Sequence, residues 1–81
     1  MKDDLIFVGY RQFTSKAGKD CYVVDFITKP KKAVNNNNVF VSQVAVFTDK
    51  DKFSNFVQNN KLLSTVSLGF EIVGDKVRYQ I

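Results

Sequence analysis

Between Gln12 and Tyr22 the chain reads QFTSKAGKDCY, which sets Lys16 and Lys19 on either side of Gly18, with Phe13 before them and Tyr22 after. Arg11 precedes this stretch, Tyr10 precedes Arg11, and Lys29, Lys31 and Lys32 follow the next apolar run. These cations and rings are the residues whose types and spacing could do chemistry, and that chemistry is non-covalent. Lysine and arginine neutralise phosphates and release the counterions around them. Flat rings offer faces on which bases stack, at about 1–3 kcal/mol per base and with little regard to sequence. A groove that combines the two suits an unpaired nucleic acid strand.

Covalent and metal chemistry find no support. The chain has no histidine, so the commonest general base and metal ligand is absent. Cys21 is a lone thiol without an activating histidine, and it reads as a small apolar residue in a strand. It has no partner for an internal disulfide, which fits a reducing compartment. Asp3 and Asp4 are adjacent but sit at a terminus expected to fray. Neither GYRQF nor SKAGKD matches a phosphate-binding loop. The sequence reads as a non-enzymatic protein with no metal site and no cofactor.

The formal net charge is +4 over 81 residues. From Arg11 to Lys32 there are six cations (Arg11, Lys16, Lys19, Lys29, Lys31 and Lys32) against two acids, Asp20 and Asp25. The remaining residues balance, so the whole excess falls in one hairpin and the loop after it. Concentrated positive charge attracts polyanions, although a solubilising surface is the plain alternative.

The elements that must position these residues are mostly strands. LIFVGYRQFT has β-branched and aromatic residues without a helical period, and Gly9 inside it marks a bend or bulge. SKAGKD is a turn, CYVVDFIT a second strand ended by Lys29-Pro30, and KPKKAVNNNN a loop with the run Asn35–Asn38. VFVSQVAVF is a third strand. In TDKDKFSNFVQNN the residues Phe53, Phe56 and Val57 fall on one helical face. Thr48 or Asp49 can cap its start, and Asn59 and Asn60 suit a left-handed end. KLLSTVSLGFEIV is a fourth strand that buries Leu62, Val66, Leu68, Phe70 and Ile72. After the turn at Gly74-Asp75, KVRYQI is a fifth, with Val77, Tyr79 and Ile81 on one face.

Five strands with a short helix between the third and fourth is the order of an OB-fold, a small Greek-key barrel. The expected architecture is therefore a single mainly β domain over residues 1–81, with Phe53, Phe56 and Val57 plugging one barrel end. The first hairpin and the second and third strands line the usual ligand face of that fold. Alternation puts Tyr10 and Phe13 on opposite faces, and puts Tyr22 on the face of Val24 and Phe26. Asp25 marks the other face as wet, yet a long coiled strand can reverse its exposure. Phe13 and Tyr22, with Tyr10, are the candidate stacking residues, and Phe40 and Tyr79 are outside candidates with a simpler role in the core.

The segment GYRQFTSKAGKDCYVV resembles the first hairpin of small phage single-stranded DNA-binding proteins, such as the helix-destabilising proteins of filamentous phages. The matching pieces are Phe13-Thr14-Ser15-Lys16, Gly18-Lys19 and Tyr22-Val23. The resemblance covers about the first third of the chain. It implies binding by Arg11, Lys16, Lys19 and Tyr22, a homodimer, and cooperative coating of single strands. The helix after Thr48 and the asparagine run have no counterpart in the filamentous-phage members. The chain is thus expected to bind single-stranded DNA with little sequence preference, in replication or recombination. Two other readings stay open: a protein-interaction module such as a phage accessory or inhibitor protein, and an RNA-binding OB-fold. MKDDLIFVGY lacks the pattern of a signal peptide and no run is long enough to span a membrane, so a cytoplasmic protein is expected.

Overall fold

The computed structural model describes residues 1–29, 31–32 and 39–81. Its elements are β1 (Lys2–Thr14), β2 (Asp20–Thr28), β3 (Lys31–Lys32), β4 (Val39–Phe40), β5 (Gln43–Thr48), α1 (Lys50–Asn59), β6 (Thr65–Val73) and β7 (Lys76–Gln80). The five longer strands form one antiparallel sheet in the order β5-β2-β1-β6-β7. Its two outer strands, β5 and β7, approach each other, so the sheet curls into a nearly closed barrel. With α1 between the third and fourth long strands, this is the expected OB-fold architecture.

The core is built from alternate residues of four strands and one helix residue. Leu5 and Phe7 of β1, Val24 and Phe26 of β2, Val46 of β5, and Val66 and Leu68 of β6 meet Phe56 of α1. The Phe56 ring stands edge-on to Phe7 and Phe26, with centroids 5.1 and 5.6 Å away. Each of these side chains stabilises the fold by about 1.5–3 kcal/mol through burial. Their edge-to-face geometry adds to that.

β1 carries a bulge. Phe7 pairs with Phe26 and Gly9 with Asp25, so Val8 is an extra residue opposite no partner. The expected irregularity at Gly9 therefore falls one residue earlier. Before the bulge the odd residues Leu5 and Phe7 face the core. After it, Tyr10 lies opposite the buried Val24, so the even residues face inward.

Several boundaries differ from the sequence expectation. The third strand is broken: Val39–Phe40 pairs with Lys31–Lys32 in a separate ribbon, and the barrel strand begins at Gln43. At the break the Ser42 amide donates to the Thr28 hydroxyl (2.9 Å), so a side chain stands in for a ladder carbonyl. Part of the expected loop is thus a short extension of the β2–β5 hairpin, and the run Asn35–Asn38 lies outside the described residues. The fourth strand starts at Thr65 rather than near Leu62. Leu62 and Leu63 are exposed in a turn, where Leu63 has φ 68° and donates its amide to the Phe7 carbonyl. Ile72 and Val77, expected to be inward, are 59% and 51% exposed. β1 pairs with β6 only as far as Gly69, so the β6–β7 ribbon runs on past the barrel without cover.

The helix starts as expected, with the Asp49 carboxylate accepting from the Lys52 amide (2.8 Å) and Asp51 in the first turn. Its end differs. Asn60 is extended at φ −131° rather than left-handed. The Asn59 and Asn60 side-chain amides instead donate to the carbonyls of Asn55 and Phe56, both at 2.9 Å. The N-terminus is not frayed either, because β1 begins at Lys2 and the Met1 carbonyl accepts from the Phe70 amide (2.9 Å).

The Tyr79 hydroxyl donates to Asp3 at 2.8 Å, tying β7 to the start of β1. Burial, and then this bond and the carboxylate charge, raise the Tyr79 hydroxyl above its ordinary value of 10.0. A raised value means that the folded state holds the proton more tightly. The contribution is therefore complete below pH 10.0 and is lost as pH rises through the higher folded value. Tyr79→Phe is expected to lower stability by about 1 kcal/mol at neutral pH, and this gap should narrow above pH ~10. Urea unfolding of both proteins across that range measures it, and a gap that widens with pH would contradict the assignment.

Candidate functional site

The bulge at Val8 decides which side chains reach the outer surface of the barrel. Across β1, β2 and β5 the outward rows are Arg11–Val23–Phe47 and Gly9–Asp25–Ala45, with Phe13 opposite Cys21. Val23 is completely buried although it lies outside the core cluster. Its ladder neighbours are Arg11 and Phe47. The rings of Phe13 and Phe47 meet over β2 at right angles, with centroids 6.5 Å apart. They roof Val23 while remaining 43% and 67% exposed themselves. Two large rings thus lie side by side on a sheet face that is otherwise wet.

The sequence did not single out Phe47. The signal for it was present in VFVSQVAVF, because Val44 and Val46 share one face and Ala45 and Phe47 the other. Placing the valines in the core, where Val46 lies, sends Phe47 outward. On its far side Phe47 lines a 330 Å³ depression in which the cations Lys52 and Arg78 are matched by the carboxylates Asp49 and Glu71, so that side adds no net charge.

The first hairpin ends in a tight turn. Gly18 adopts φ 81°, the left-handed region that glycine enters without steric cost. The Gly18 amide donates to the Ser15 carbonyl (2.9 Å), and the Ser15 amide donates to the Lys19 carbonyl (2.7 Å). Lys16 and Lys19 are exposed at the tip, and neither forms an ion pair among the described residues.

The other candidate residues are divided between two faces. Arg11 is on the outer face, but its Nε and Nη2 donate to the two Asp25 oxygens at 3.0 and 2.9 Å. That fork largely cancels its charge at long range. Tyr10 and Tyr22 are on the inner face beside the helix: their ring centroids lie 5.7 and 5.3 Å from Phe53, with Tyr10 still 49% exposed at its edge. The strand alternation that places Val24 and Phe26 inward carries Tyr22 with them. The structure therefore brings Phe13 and Arg11 together with Phe47, and holds Tyr10 and Tyr22 on the other side of the same sheet. Lys29 lies 3.8 Å from Asp4, an exposed contact of little energetic weight. The backbone of Lys31 and Lys32 continues the edge beyond β2, while their side chains, and that of Phe40, lie outside the described residues.

No group of histidine, cysteine and carboxylate side chains among the described residues is arranged to hold a metal ion. Among the same residues no helix is long and apolar enough to cross a membrane. What the outer face offers is stacking surface and positive charge. No known protein family, curated protein or solved structure matches the chain.

The roof over Val23 separates packing from exposure. Val23→Ala is expected to cost about 2 kcal/mol, and Phe47→Ala under ~1 kcal/mol because most of that ring is in water. Thermal or urea unfolding reads both, and a larger loss for Phe47→Ala would mean that its role is structural.

Proposed function

We propose that the protein binds single-stranded DNA on the outer face of β1, β2 and β5. The observation that carries this reading is the pair of exposed rings, Phe13 and Phe47, beside a hairpin tip that bears two unpaired lysines. Covering Val23 needs only part of each ring, and the faces left in water can stack bases. Lys16 and Lys19 neutralise phosphates at one end of the platform. Lys29, with Lys31 and Lys32 by their place in the sequence, adds to the positive charge that follows β2. Recognition by stacking and phosphate contact tolerates any sequence, which suits a protein that coats single strands during replication or recombination in the cytoplasm. Phe13 and Phe47 take the stacking role, and Tyr10 and Tyr22 support the sheet from behind.

About four engaged phosphates give a log–log salt slope of roughly −3. Fluorescence anisotropy with labelled oligo(dT) at several salt concentrations is expected to give that slope. Lys16→Glu combined with Lys19→Glu should weaken binding to all sequences alike. Phe47→Ala should weaken it by about 5- to 100-fold while leaving the fold in place. Competition by oligo(U) separates DNA from RNA preference. A slope near zero, or full affinity in both variants, would remove the reading.

The same reading includes a homodimer. The β6–β7 ribbon leaves Ile72, Val73 and Val77 more than half exposed, more apolar surface than so short a ribbon needs. Sedimentation equilibrium is expected to return twice the 9.2 kDa chain mass, and the single-chain mass would rule the dimer out.

A further inference from the structure

Beside the two rings the outer face opens into a depression of 540 Å³, lined in part by Val8, Arg11, Asp25, Gln43 and Ala45. Its origin is one ladder row, Gly9–Asp25–Ala45, in which small residues flank the aspartate on both sides. The rows on either side are larger: Arg11–Val23–Phe47 on one, and Ile6, Ile27 and Gln43 on the other. Rows on the same face are two residues apart, about 7 Å along a strand. The row of small residues therefore leaves a slot with the ring platform at one rim.

Gly9 is not required there by the fold. A Cβ at this position would meet nothing within 4 Å, and its φ is not in the left-handed region. Its missing side chain leaves open space beside its ladder partner Asp25.

The slot is polar at its base. Asp25 gives both oxygens to Arg11, yet each oxygen retains a lone pair, and Arg11 retains three N–H groups. Gln43 adds an amide at the same depression. Held as a fork, the ion pair is locally neutral and rigid, so it has little pull on a phosphate. It presents an acceptor and donors side by side, which is the complement of a base edge rather than of a backbone.

We infer that this slot reads one base of the bound strand and favours bases that carry an exocyclic amino group, whose N–H Asp25 accepts. The inference rests on the single-strand reading above and adds to it a preference that the ring platform alone would not have. The cytosine edge sets an amino donor next to the N3 acceptor, which suits an Asp25 oxygen and an Arg11 N–H together; uracil offers one N3–H flanked by two carbonyls, whose oxygens the carboxylate repels. Gly9 and Ala45 admit the ring, and Asp25, oriented by Arg11, selects it.

The test compares oligo(dC) with oligo(dU) of equal length, about 16 nucleotides, by anisotropy at one salt concentration. The two strands share a pyrimidine ring and differ only at its edge: an amino donor and an N3 acceptor in cytosine, a carbonyl and an N3–H in uracil. The native protein is expected to bind oligo(dC) about fivefold more tightly. Asp25→Ala, which removes the acceptor, and Gly9→Val, whose Cβ meets no atom within 4 Å and whose methyls narrow the space beside Asp25, should each bring the ratio to about one while oligo(dU) binding persists. Equal affinity of the native protein for the two strands, or a preference that survives both substitutions, overturns the inference and leaves the strand-binding reading intact. Failure of both strands to bind the native protein overturns that reading and the inference with it.

Discussion

The extra residue at Val8 is the constraint on which the outer face depends. Up to Phe7 the odd positions of β1 point into the core. An unbroken ladder would continue that pattern and drive Arg11 and Phe13 inward, burying an arginine in an apolar barrel. A single unpaired residue reverses the parity. Tyr10 then turns in to meet Phe53, and Arg11 and Phe13 turn out to meet Asp25 and Phe47. The long first strand thus serves the core with one half and the surface with the other.

Charge and rings are arranged differently on that surface. The excess positive charge of the sequence lies between Arg11 and Lys32, yet Arg11 itself is held by Asp25 and contributes little at a distance. Lys16 and Lys19 stand at the hairpin tip, at the margin of the platform, without an ion pair among the described residues. The rings occupy its middle. In the proposed reading, long-range attraction and close-range stacking fall to separate places, and the neutral Arg11–Asp25 fork lies beside the rings.

The strand order, the helix between the third and fourth long strands, its Asp49 cap and its Phe56 plug were all legible from periodicity and capping chemistry. The broken third strand was not, because the competing bond from Ser42 to Thr28 depends on a register that sequence alone does not fix. The left-handed turn at Leu63 was not legible either, since leucine is a poor candidate for positive φ. Within the candidate site, Lys16 and Lys19 were readable from the glycine turn. Phe47 was readable from the parity of Val44 and Val46, although the cluster of cations drew attention to the first hairpin instead. The inward face of Tyr22 followed from its alternation with Val24 and Phe26, whereas that of Tyr10 depends on the extra residue at Val8, which the sequence pattern placed at Gly9.

The central claim is spatial: an unpaired strand lies across the outer face of β1, β2 and β5. Backbone amide shifts followed by NMR during titration with oligo(dT) test it most directly. The account predicts shifts concentrated at Arg11, Phe13, Lys16 to Cys21, Val23, and Ala45 to Phe47, with the inner face of α1 unmoved. Shifts centred on Tyr10, Tyr22 and Phe53, or no shifts at saturating oligonucleotide, would contradict it.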